Sequence, residues 1–388
     1  MTATEFLPLP VVDGKTLQYE DFLKTYALPR QPCLITNLGE NWPALAKWTS
    51  AMYFLDHQGV NKDWEVSCSA GPAGAEAEVE TTVGEALRTI GANPSEPFYL
   101  NAWAYVRGGS EGLAEDFSVP KFFERAPDFL SSNVVLGNSS IDMRWLYIGS
   151  KGTASPTHVD TNLSSAWLWC ASGRKEWICA SGEDYDLLTA GTGSAAHGYR
   201  SEDSDTDSDP LPDFFDPQLF AKWPKTRQAR LYRGVQEKGD VCFNPSRCVH
   251  AVRNLEACVS LTHNFVDATN LADVASDATR SLREEILPMC REMRPKSFLK
   301  HLSRSLGISR AELSQALLDL PSLLSDENVE EAVSCAAGGA EPGAEREACR
   351  AKLHAELRRR LAKVKPAFEE AAAELKERLA AGLSSSKK

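Results

Sequence analysis

Six short runs with the texture of strands fill the stretch from Met143 to Val266: MRWLYIGS, SSAWLWCAS, KEWICAS, GDVCFNPS, HAVRN and CVSLTHNFV. Glycine, proline, asparagine and serine clusters separate them. Apolar runs of this length, rich in aromatic and β-branched residues and closed by turn formers, predict strands. Many short strands with regular turn punctuation predict a sandwich or barrel. The expected fold class is therefore mostly β, with helical material on either side.

The first hundred residues mix two patterns. YEDFLKTYAL repeats apolar positions at helical spacing, whereas PCLITNL and SEPFYLNAWAYV read as strands. After Asp267 the period becomes helical, in ATRSLREEILPMCREM and SRAELSQALLDLPSLL. Leu353, Leu357, Leu361 and Val364 form one stripe, which Phe368, Leu375 and Leu379 continue beyond an expected kink or break at Pro366. Such a stripe packs first of all against its own domain; a homodimer through these helices is the second reading. The run Arg358, Arg359, Arg360 and Lys363 reads as a solvated face. Three regions follow: an N-terminal α/β segment over 1–140, a barrel over 141–270 and a helical region over 271–388. The barrel carries an insert at about 190–212 whose centre, SEDSDTDSDP, is acidic and almost free of apolar side chains, and is expected to be a solvated loop.

Composition narrows the function classes. A formal net charge of −12 argues against nucleic acid as the partner of the whole chain, because neutralising phosphates needs a basic face. The N-terminus lacks a basic start followed by an apolar run, so no signal peptide is read there. No apolar run reaches the roughly 18–20 residues that a membrane helix needs. The 10 cysteines contain no C-x-x-C and no paired framework. They read as reduced thiols, which places the protein in the cytoplasm or nucleus.

One of the 7 histidines stands in an unusual setting, THVD. If that segment is extended, His158 and Asp160 point to the same face. An imidazole and a carboxylate side by side are two legs of a metal site. A facial triad for non-haem Fe(II) needs a second histidine and keeps its remaining positions open. The other histidines are His57, His197, His250, His263, His301 and His354. His250 is the best placed, because a strand-turn-strand unit in GDVCFNPSRCVHAVRN would bring it back over His158. A 2-oxo acid would occupy the open positions and would need a cation and hydroxyls for its distal carboxylate. Lys175 in GRKEW and Thr262 in VSLTHNFV suit that task, with the phenol of Tyr147 as a further donor.

Taken together, H-V-D, G-R-K-x-W, G-D-V-x-F-x-P, V-H-x-V-x-N and T-H-N-F resemble the Jumonji-C family of Fe(II)- and 2-oxoglutarate-dependent oxygenases. LPRQPCLITNLGENWPALAKWT is similar to the family's entry segment, so the resemblance covers about residues 17–275. It implies a double-stranded β-helix, a jelly roll of the cupin kind. Iron would be held by His158, Asp160 and His250, and the co-substrate by Lys175 and Thr262. Within the family the chain is most similar to the small lysyl hydroxylases of the type acting on the translation termination factor. The implied reaction consumes 2-oxoglutarate and O2, releases succinate and CO2, and hydroxylates a protein side chain, most simply a lysine.

Two departures bear on substrate. FNPSRCVH replaces the more usual Val-Pro-x-x-Trp-x-His, and Leu168 stands where one branch has a polar residue touching the co-substrate. Three alternatives stand beside the hydroxylase: an N-methyl-lysine (histone) demethylase, a non-catalytic cupin-like scaffold, and a small-molecule oxygenase or isomerase.

Overall fold

The computed structural model describes residues 6–72, 74–93, 95–123, 143–190, 211–305, 313, 324–327, 329–330 and 344–384. The acidic segment and His197 lie outside the described residues. Two compact units divide the rest. One draws on the chain up to Phe122 and on Met143–Asn264; the other begins at Phe265.

The first unit is built on fourteen strands, of which the last runs on to Phe265. They are β1 (Leu7–Pro8), β2 (Val11–Asp13), β3 (Cys33–Thr36), β4 (Glu65–Ala70), β5 (Ala77–Thr82), β6 (Phe98–Trp103) and β7 (Arg144–Gly149). Then come β8 (Ala154–His158), β9 (Ser165–Ser172), β10 (Lys175–Ala180), β11 (Leu231–Gln236), β12 (Val241–Asn244), β13 (His250–Asn254) and β14 (Cys258–Phe265). Five of them form one sheet in the order β1-β11-β10-β13-β8. The other nine form a second sheet, β2-β3-β12-β9-β14-β7-β6-β4-β5. The mostly β, cupin-like expectation holds. Strands of the first hundred residues join the larger sheet and extend it: β3 pairs with β12, and β6 with β7.

Between the sheets lies an apolar layer in which Trp177, Cys179 and Val252 meet Leu34 and Cys242. Behind the larger sheet Trp42 packs edge-on against Trp169 at 4.9 Å. The eight described cysteines are free and buried, as small apolar side chains of the core are. Helix α1 (Val83–Ala92) starts at Thr82, whose hydroxyl accepts from the Glu85 amide, and it buries Val83, Ala86, Leu87 and Ile90. YEDFLKTYAL is helical as expected, an α-turn at Tyr19–Phe22 running into a π-turn at Leu23–Ala27.

The second unit contains α2 (Leu271–Ser281), α3 (Leu287–Glu292), α4 (Pro295–Ser305) and α5 (Ala344–Ser384). Leu353, Leu357, Leu361, Phe368, Leu375 and Leu379 of α5 are all buried. The stripe is thus consumed inside its own unit. Helix α5 continues through Pro366, so of the expected kink or break the break does not occur. A proline in a helix costs about 3 kcal/mol. Each buried leucine or phenylalanine returns about 1.5–3 kcal/mol, and Leu361 and Phe368 flank the proline, so packing carries the helix across. The basic run is answered locally. Arg358 pairs with Glu330, while Arg359 and Arg360 pair with Glu356. No described helix is long and apolar enough to cross a membrane.

Candidate active site

Side chains alternate along a strand, so one parity of each strand faces the space between the two sheets. On β10 and β13 that parity pairs Lys175 with Asn254, Trp177 with Val252, and Cys179 with His250. On the facing sheet Asn244 lies opposite Ala166, and Tyr147 opposite Ser260. The inward sets line one open cavity. His158, Asp160 and His250 stand at one end, and Lys175, Thr262, Tyr147 and Tyr99 line the rest.

His158 reaches the cavity through a β-bulge. The β8–β13 register pairs His250 with His158 but Val252 with Ser155, so β8 spends one residue more than its partner. The extra residue falls at Pro156–Thr157, and a proline has no N–H to give to a ladder. The bulge keeps Ser155 and His158 on the same face although they are an odd number of residues apart. It also turns the Pro156 carbonyl to within 2.7 Å of His158 Nδ1. His250 Nδ1 lies 3.0 Å from the Cys248 carbonyl in the same way. A carbonyl only accepts, so both imidazoles carry their proton on Nδ1 and present a bare Nε2. A metal-binding histidine is oriented in this way, by a backbone carbonyl on its other nitrogen.

The ligand atoms of His158, Asp160 and His250 all lie within 4.8 Å of one another. Burial, reinforced by neighbouring His250, pushes His158 down to about 4 against the opposing pull of Asp160. It is therefore neutral near pH 7, with its lone pair available. Two imidazoles and one carboxylate on one side of a cavity suit a divalent first-row ion with open positions. Among the described residues this is the one such cluster.

At the other end Lys175 is 1 % exposed. Its ammonium donates to Asn254 Oδ1 at 2.8 Å and lies 5.9 Å from the centre of the Tyr99 ring. Burial alone would lower its pKa, but the Tyr99 phenol and the Cys258 and Cys170 thiols outweigh this and hold it above its ordinary value. Among the described residues no carboxylate pairs with it. Its hydrogen-bond partner is a neutral amide, which leaves the ammonium able to take an incoming anion.

Asn254 is held in turn by donating to Thr153 Oγ1 at 2.9 Å. That close packing requires Gly149, where a Cβ would fall 2.5 Å from Tyr99, 2.7 Å from Thr153 and 2.8 Å from Asn254. Burial raises the Tyr147 phenol, helped by Tyr99 and Asp160, so it remains a donor. The Thr262 hydroxyl donates to the Trp167 carbonyl at 3.1 Å, and an incoming carboxylate would compete for that hydrogen.

Every site residue expected from the motifs therefore lines one cavity. Of the histidines set aside, His263 faces the other way, against Trp167, and His354 pairs with Glu330. Trp177 stacks on His250 with centroids 5.8 Å apart. Leu168 lines the cavity as well. Among the lining residues that escaped the motif reading are Tyr99 and Asn244. For Asn244 a signal existed: it is the one polar residue in the run VCFN, at the parity opposite Ala166.

The model of the cupin-like domain matches residues 19–270. The chain is 26% identical over 286 residues to the arginine-specific demethylase JMJ20 of Arabidopsis thaliana, covering 67% of this chain and 58% of that protein. It is 26% identical over 272 residues to the 2-oxoglutarate and iron-dependent oxygenase JMJD4 of Danio rerio, covering 66% and 60%. Against the bifunctional arginine demethylase and lysyl-hydroxylase psr-1 of Caenorhabditis elegans it is 26% identical over 261 residues, covering 67% and 62%. The chain thus spans about three fifths of the length of these relatives.

Proposed function

The chain belongs to the cupin-like domain family, and from that premise we propose that it is an Fe(II)- and 2-oxoglutarate-dependent oxygenase that hydroxylates a protein side chain, a lysine first. One observation carries the reading. A single cavity presents a two-histidine, one-carboxylate cluster at one end and, at the other, a buried ammonium with no carboxylate partner among the described residues. A dicarboxylic 2-oxo acid has the complementary shape, a chelating end for a metal and a distal carboxylate for a cation.

When bound, iron and 2-oxoglutarate supply the oxidising chemistry, which splits O2 between succinate, formed with release of CO2, and the substrate. The protein's own part is orientation. His158, Asp160 and His250 hold the metal on one side, their imidazoles aligned by the Pro156 and Cys248 carbonyls. Lys175 holds the distal carboxylate, and Asn254 keeps that ammonium from turning away. The protonated Tyr147 phenol and the Thr262 hydroxyl donate beside it. Leu168 and Ala166 close the wall with apolar surface and exclude water.

A second reading is demethylation of a methylated arginine, since the names of JMJ20 and psr-1 carry that activity. It moves the demethylase alternative from lysine, where the motifs put it, to arginine. Incubation with lysine- and methylarginine-containing peptides separates the two. A peptide that gains one oxygen atom by mass, without formaldehyde, supports hydroxylation. Stoichiometric formaldehyde supports demethylation. Oxidation of neither, in protein that turns over 2-oxoglutarate, would count against both.

A further inference from the structure

Asn244 ends β12 inside the cavity and is 2 % exposed. Its Nδ2 lies 2.6 Å from Asp160 Oδ2, and 3.0 and 3.3 Å from the two ring nitrogens of His250. Its carbonyl Oδ1 is buried and has no hydrogen-bond partner among the described residues. The reverse amide orientation would set that carbonyl against the Asp160 carboxylate, so Asp160 decides which way the amide points. An atom nearly equidistant from both nitrogens of an imidazole cannot lie in the ring plane without striking Cε1. Nδ2 therefore sits over the His250 face, and its directed hydrogen bond goes to Asp160. Trp177 covers His250 from a near-parallel plane, 24° from it. An amide that leaves a buried carbonyl orphaned at a position opposite Ala166, where an apolar side chain would pack, is hard to account for by packing alone.

We propose that Asn244 is a positioning residue for the metal site. Its N–H occupies Oδ2 of Asp160, so that Oδ1 alone is presented to the metal, and its amide plane limits rotation of the His250 ring. Asp160 then ligates through a single oxygen, and the rest of the coordination sphere stays open for the co-substrate. This inference rests on the metal-site reading above.

The test is titration of Mn(II) into the apo protein and into Asn244→Val, Asn244→Thr and Asp160→Ala, with the melting temperature of each apo form measured alongside. Valine removes every polar atom of the side chain, whereas threonine keeps an O–H, set one bond nearer the backbone than Nδ2. Asn244→Val is expected to weaken Mn(II) binding by about tenfold or more, the loss typical when an outer partner of a ligand is removed. Asn244→Thr is expected to recover part of that affinity, with apo melting temperatures of both variants close to wild type. Equal affinity in Asn244→Val and wild type overturns the proposal, as does a fall in affinity matched by a lowered apo melting temperature. A wild-type protein that binds Mn(II) no better than Asp160→Ala overturns the metal-site reading itself, a distinct result.

Discussion

Two charged regions are conspicuous in the sequence, and the structure treats them in opposite ways. The basic run of helix α5 is exposed and locally neutralised: Arg359 donates to Glu356 at 2.7 Å and Arg358 to Glu330 at 2.5 Å. Glu356 is held down at about 2, first by its hydrogen bond to Arg359. Lys175 of the β unit is a single charge, fully buried, with an amide as hydrogen-bond partner in place of a carboxylate. A run of charge on a surface is compensated where it stands and needs no ligand. A buried ammonium with no carboxylate beside it among the described residues is free to take an anionic ligand, and that contrast separates scaffold from site.

The largest effect should come from the metal end. His158→Ala and Asp160→Ala are expected to abolish metal retention and 2-oxoglutarate turnover, exceeding the roughly 10–100-fold loss expected for an outer partner. Metal analysis of purified protein together with succinate assay checks this. Retained iron at wild-type levels would break the assignment.

Lys175→Met should split function from stability. Co-substrate binding is expected to be lost, while the apo melting temperature falls only slightly, since methionine fills much of the same buried volume while Asn254 Oδ1 forfeits its donor. A clearly lowered melting temperature would put Lys175 with the structural charges instead.

The same residue sets a pH expectation. Its folded pKa lies above the ordinary 10.5, so the ammonium persists in the folded state and its contribution is lost only as pH rises through that higher value. Co-substrate affinity, measured on metal-loaded protein, should therefore be flat from about pH 7 to 9 as far as Lys175 is concerned. A fall with a midpoint in that window would mean that burial had won over the Tyr99 and thiol neighbours.

The smallest effect belongs to α5. Arg358→Ala or Arg359→Ala should leave the melting temperature nearly unchanged, as the loss of exposed pairs does, and leave turnover unchanged. A large loss of activity would dissolve the contrast between the two regions.

The residues expected from the motifs meet in one cavity because most of them obey strand parity. Lys175 and Asn254 face each other across a regular β10–β13 ladder, and the turn before Lys175 needs Gly173, whose φ is +79. Parity also explains why His263 is not a ligand while Thr262, its neighbour, lines the cavity. The bulge at Pro156 was not legible, since a register shift depends on the partner strand; only the proline hinted at it. Asn244 was passed over because a lone polar residue in a short run carries no motif. Tyr99 lies on a strand whose neighbours in the sheet could not be known beforehand. The continuity of α5 through Pro366 is a tertiary effect, since the residues that bury its stripe come from other helices of its unit.

Calorimetric titration of 2-oxoglutarate into Mn(II)-loaded protein, with His158→Ala and Lys175→Met in parallel, tests the central claim most directly. The two ends of the cavity are held to serve one ligand. The expected result is a single site in the wild-type protein that disappears in either variant. Undiminished binding in both variants would mean that the cavity between His158 and Lys175 is not where the 2-oxo acid goes, and would contradict the account.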